Sequence, residues 1–75
     1  MKLELEHFRN GKDFGRLLRS CRAQRGLTQA ALGKLVGSTQ PGVARWESGV
    51  CSPRMTTVFR LGEVLGWKVV FSLNK

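Results

Sequence analysis

The sequence offers little with which to bind a metal: one histidine, His7, and two cysteines, Cys21 and Cys51, far apart and without C-x-x-C spacing. That pattern gives neither a zinc site nor a disulfide framework, and no cofactor is expected. Cys21 falls on the apolar stripe of a predicted helix and reads as a small core residue in a reducing compartment. Cys51 reads as an exposed thiol in a loop. No stretch approaches the ~20 apolar residues that span a membrane. The opening MKLELEHFRN alternates apolar and charged residues rather than building a hydrophobic run, so it does not read as a signal peptide. A soluble, cytoplasmic chain is expected. Also missing are Ser/His/Asp and Cys/His arrangements, a phosphate-cradling glycine loop and a carboxylate pair placed for acid–base work, so no enzyme is expected. Repeats and low-complexity tracts are absent as well, and 75 residues make one domain with a modest core.

Acidic residues are scarce. Five Asp and Glu face thirteen Lys and Arg, a net charge of +8. Such an excess on a small domain suggests a polyanionic partner, nucleic acid first, because phosphate contacts are what clustered Arg and Lys most commonly serve. A membrane surface fits less well, since no basic helix here carries a broad apolar face. Few aromatic residues are available for base stacking, which argues against an RNA-binding module.

What is present is helical patterning. Asp13 can cap a helix over 13–25, with Phe14, Leu17, Leu18 and Cys21 at i, i+3, i+4, i+7 spacing and Gly26 as its stop. Lys12, Arg16 and Arg19 lie on its other side; Arg16, Arg19 and Arg25 read as a solvated face, with a basic first helix that flanks DNA as the alternative. Thr28 caps a second helix over 29–36, its Leu32, Leu35 and Val36 facing inward, and Gly37 ends it. The stretch TQPGVARWESG begins like a turn and continues like a helix. One helix over 40–48 satisfies every signal: Thr39 caps it, Pro41 sits in the first turn where its missing N–H costs nothing, Val43 and Trp46 share a face, and Gly49 stops it. Pro53 opens a fourth helix whose stripe is Met55, Val58, Leu61 and Leu65, ended by Gly66. In WKVVFSL the period changes to two, which is strand character. The layout is an arm over 1–12, a helical core over 13–66, and a strand and tail over 67–75.

Two short helices joined by a glycine-containing turn make a helix-turn-helix, in which the first braces the second for entry into the major groove. The stretch GLTQAALGKLVGSTQPGVARWESG resembles the Xre family of helix-turn-helix regulators, the phage Cro and repressor type. The resemblance covers residues 13–66. It rests on Arg22, Gly26, Leu27, Thr28 and Gln29, then Leu32, Val36 and Gly37, then Trp46, Glu47 and Gly49. DFGRLLRSCR and the terminal strand are similar to the HipB-type antitoxins of toxin–antitoxin operons. The resemblance implies a mainly α, repressor-like domain of four to five helices and a double-stranded DNA operator as partner. It implies Gln40, Pro41, Ala44 and Arg45 as groove-facing residues, and Gln29, Ser38, Thr39 and Arg54 near phosphates. It also implies a structural ion pair between Arg22 and Glu47, and, in the antitoxin subgroup, a cognate toxin protein as a second partner. Three departures from the family pattern stand out: Gly33 where alanine is usual, Ser38 for an apolar turn residue, and Pro41–Gly42 where relatives carry long polar side chains.

The strand over 67–73 leaves two pairings open. It can pair with its own copy across a two-fold axis, as the resemblance implies, with Trp67, Val69, Phe71 and Leu73 covering the interface of a homodimer. It can also pair within the chain with residues 2–6, and the two are compatible.

Overall fold

The structure, a computed structural model, describes residues 2–4 and 11–70, with side chains over 11–68. Helix α1, Gly11–Gln24, starts two residues ahead of Asp13, which therefore lies in the first turn rather than at the cap. There its negative charge still favours the positive end of the helix. Phe14 and Leu18 are buried, while Leu17 and Cys21 pack partly against the core. Past the helix, the Leu27 N–H donates to the Arg22 carbonyl at 3.2 Å and closes the end.

Helix α2, Gln29–Leu35, begins where Thr28 Oγ1 accepts from the Ala31 N–H at 3.0 Å. Its buried side is formed by Leu32 and Gly33, with Val36 at the C-cap. Leu35, expected to face inward, is 57% exposed. The reason is angular: Leu35 lies two residues from Gly33, about 200° around the helix, so burying Gly33 turns Leu35 to solvent.

Helix α3, Gln40–Ser48, is one continuous helix. Thr39 caps it, accepting from the Gly42 N–H at 3.2 Å, Pro41 occupies the first turn, and Gly49 ends it at φ 81°. Val43 and Trp46 point into the core. Helix α4, Met55–Leu65, starts after Arg54 with no side-chain cap. Val58, Leu61 and Leu65 are buried, but Met55, expected on the same stripe, is 39% exposed because it lies in the first turn, ahead of the packed part of the helix.

After Gly66, at φ 74°, the chain turns back and the Trp67 N–H donates to the Gly62 carbonyl at 2.8 Å. The period-two pattern put Trp67 on a dimer face; the structure buries it in its own core instead. Its ring meets Phe14 edge-on at 5.9 Å, and Nε1 donates to Cys21 Sγ at 3.2 Å. Strand β2, Lys68–Val70, pairs in parallel with strand β1, Lys2–Glu4, in the register Lys2 to Lys68, Leu3 to Val69 and Glu4 to Val70. So the within-chain pairing is present. Phe71, Leu73, His7 and the side chain of Val69 lie outside the described residues.

Among the described residues no helix is long and apolar enough to cross a membrane, and no three His, Cys, Asp or Glu side chains are gathered to hold a metal.

Candidate nucleic-acid interface

Two close backbone approaches set the position of α3. A Cβ on Gly33 would lie 2.9 Å from the Thr39 carbonyl carbon and oxygen, so α2 presses directly on the residue that caps α3. The departure to glycine at 33 thus sacrifices about 1 kcal/mol of helix propensity for contact between the two helices. On the other side, Gly15 of α1 is buried against the Trp46 and Glu47 carbonyls.

With its buried side packed, α3 turns Gln40, Pro41 and Arg45 to solvent, and Ala44 is half-buried. Two open clefts flank it. One, of about 650 Å³, is lined by Arg19, Arg22, Gln29, Gln40, Ala44 and Glu47, among others. The other, of about 570 Å³, includes Ser38, Thr39, Arg45, Cys51 and Arg54. The structure therefore separates the expected residues into two groups on either side of one helix. Gln29, Gln40 and Ala44 share the first cleft; Ser38, Thr39, Arg45 and Arg54 share the second. Pro41 lines neither. The guanidinium groups of Arg45 and Arg54 have no partner among the described residues.

A run of hydrogen bonds orders the first cleft. Arg22 donates twice to Glu47, Nε to Oε2 at 2.6 Å and Nη2 to Oε1 at 3.0 Å, and Nη1 donates to the Leu27 carbonyl at 2.7 Å. The hydrogen bond to Glu47 raises the Arg22 pKa above its ordinary value, against the opposing effect of burial, so the guanidinium stays charged throughout any working pH. An ionised carboxylate only accepts. Gln29 accordingly turns its amide nitrogen to Glu47 Oε1, at 3.1 Å, and its oxygen outward. That oxygen takes a hydrogen bond from Gln40 Nε2 at 2.8 Å. A partly buried ion pair thereby orients the amide of an exposed residue on α3. The other N–H of the Gln29 amide has no acceptor among the described residues.

Arg19 was not separable in the sequence from Arg16 and Arg25, yet it alone of the three lines this cleft. The available signal was its spacing, three residues before Arg22 and hence on the same side of α1.

Residues 13–69 match the Helix-turn-helix domain family. The chain is similar to the SPbeta prophage-derived uncharacterized HTH-type transcriptional regulator YonR of Bacillus subtilis (strain 168), at 32% identity over 61 residues. The match takes in 81% of this chain and 56% of that protein, so the chain spans little more than half the length of this curated relative. The P22 c2 repressor protein, in its crystal structure with synthetic operator 9T in the presence of Tl+, shares the fold at a TM-score of 0.71 and 29% identity. That likeness covers 73% of this chain and 83% of the repressor chain.

Proposed function

Because the chain belongs to the helix-turn-helix domain family, we propose that it binds double-stranded DNA as a transcriptional regulator of the phage-repressor type. The observation that carries the reading is the outer side of α3. Gln40, held in one orientation, and Arg45, whose guanidinium has no partner among the described residues, stand exposed on a two-and-a-half-turn helix braced by α2. A helix so placed enters the major groove, where a glutamine amide matches adenine and a guanidinium matches guanine. Pro41 and Ala44 offer only apolar contact, for example to a thymine methyl. In this reading Gln29, Ser38, Thr39 and Arg54 meet phosphates on the two sides. Direct readout rests on two long side chains, so DNA shape supplies part of the specificity.

A homodimer completes this reading. Two copies would set their reading helices ~34 Å apart, one DNA turn, on a two-fold-related site. The edge of β2 away from β1 is open among the described residues and can take the same strand of a second copy. The protein then represses an operon, its own in the simplest case. The likeness to a prophage regulator and a phage repressor supports a stand-alone repressor. A toxin encoded beside the gene and bound tightly by this chain would support the antitoxin role instead.

The test is an anisotropy titration against the DNA upstream of the protein's own gene, with competitor DNA, at two salt concentrations, and with sedimentation to fix the oligomer. Tight, competitor-resistant binding by a dimer supports the proposal. Binding that disappears with salt or competitor would leave only a nonspecific charge footprint. Within that assay, Arg45→Ala should relax preference at one base position by about 1–3 kcal/mol, roughly 5- to 150-fold. Unchanged preference at every position would remove Arg45 from the reading set.

A further inference from the structure

We infer that Arg19 is a further DNA contact, a backbone clamp on the phosphate beside the base pair that Gln40 faces. The inference rests on the DNA-binding reading above and adds a residue to it. Three observations meet at this side chain. First, the other basic residues on and just after α1 are already engaged. Arg16 lies 3.9 Å from Asp13, Arg22 is bound to Glu47, Arg25 donates to the Leu65 carbonyl at 3.0 Å, and Lys12 has a partner too. Arg19 has none among the described residues. Second, Arg19 is exposed and lines the cleft that also holds Gln29 and Gln40.

Third, the acid in that cleft is neutralised. Glu47 takes three hydrogen bonds, two from Arg22 and one from Gln29, and its side chain is only 4% exposed. With Glu47 and Arg22 cancelling, the charge the cleft presents is that of Arg19. A guanidinium is suited to a phosphate, which it can grip through two parallel N–H groups. Gln29, which lines the same cleft, adds a neutral donor beside it. An operator strand passing Gln40 would therefore find a donor and a cation in succession.

The experiment compares the full chain with Arg19→Gln, Arg19→Lys and Arg16→Gln, titrating the upstream DNA fragment across a salt series, with phosphate-ethylation interference on the same fragment. Arg19→Gln should reduce the slope of log affinity against log salt by about 0.9, the value of one phosphate contact. The ratio of wild-type to variant affinity then shrinks about threefold between ~50 and ~200 mM salt. One phosphate next to the Gln40 base pair should lose its interference, and base preferences should stay as they were. Arg19→Lys should retain the slope, and Arg16→Gln should leave that phosphate's interference intact. An unchanged slope and footprint in Arg19→Gln, with wild type still binding specifically, overturns the clamp alone. Failure of the wild type to bind duplex DNA specifically overturns the functional reading and the clamp with it.

Discussion

Replacing Gly15 with alanine should lower the melting temperature by about 10–20 °C, although alanine is the better helix former. A Cβ at this position would stand 2.6 Å from the Trp46 carbonyl oxygen and would crowd the Glu47 carbonyl as well. These are backbone atoms inside α3, so they can yield only if the helix moves. Overpacking costs typically 1–3 kcal/mol and occasionally more, and a clash with backbone oxygens of a packed helix belongs at or beyond the top of that range, about 3–4 kcal/mol, against a propensity gain of about 1 kcal/mol. A net loss of about 2–3 kcal/mol corresponds to ~10–20 °C in a domain of this size. It is also a large share of a total stability of roughly 4–11 kcal/mol. Gly42→Ala is the control. Its Cβ would meet Ser38 Oγ at 2.6 Å, the end of a side chain that can rotate away, so its melting temperature should move by only a few degrees. Thermal unfolding followed by circular dichroism decides the matter. Equal melting temperatures for Gly15→Ala and wild type would mean that α1 and α3 do not approach as closely as described.

This close approach illustrates what the sequence could and could not reveal. The starts of α2 and α3 and the ends of all four helices were legible because their chemistry is local: Thr28 and Thr39 accept from the N–H three residues on, and glycines follow α1, α2, α3 and α4. The starts of α1 and α4 were not: α1 begins two residues before Asp13, and α4 two residues after Pro53. Gly15, by contrast, reads in sequence only as a weak helix residue, since its neighbours in space come from α3. The same limit explains Trp67. Its alternation with Val69 was real, but the turn at Gly66 carries it onto Phe14 and Cys21 before the strand begins. Leu35 was misplaced because α2 is too short for an apolar pattern to define its inner side, which Gly33 helps to form. Arg16, Arg19 and Arg25 look alike as letters; the spacings of Arg16 from Asp13 and of Arg19 from Arg22 are local, but the bond from Arg25 to the Leu65 carbonyl exists only in the fold. The pair Arg22–Glu47 has no local signal either, and family resemblance supplied it. The residues facing outward on α3 were readable because a helix starting at Gln40 allows only one side for Val43 and Trp46.

Removing Glu47 alone should destabilise the protein strongly, while replacing both members of its ion pair should not, and the two together separate stability from readout. In Glu47→Ala, the Arg22 guanidinium, only 15% exposed, keeps its charge and loses two of its three hydrogen bonds. Breaking such a pair from one side costs about 3–5 kcal/mol when the partner is buried. The residual exposure of Arg22 puts the expectation near the lower end, about 3 kcal/mol, or ~12–24 °C in melting temperature. In the double variant Arg22→Met with Glu47→Leu, no charge is stranded, and stability should return to within about 1 kcal/mol of wild type. Readout should not return. Without a carboxylate that can only accept, Gln29 no longer has a fixed orientation, and Gln40 loses the acceptor that orients its own amide. If Gln40 reads adenine as proposed, the double variant should bind its operator with preference at that base pair reduced by up to about 1–3 kcal/mol. Preference at the Arg45 position should be untouched, because Arg45 lies across α3 in the other cleft. Melting curves and a panel of single-base operator variants measure the two quantities independently. A stable double variant with full discrimination at the Gln40 position would show that the ion pair is scaffold only, with no part in aiming the reading helix.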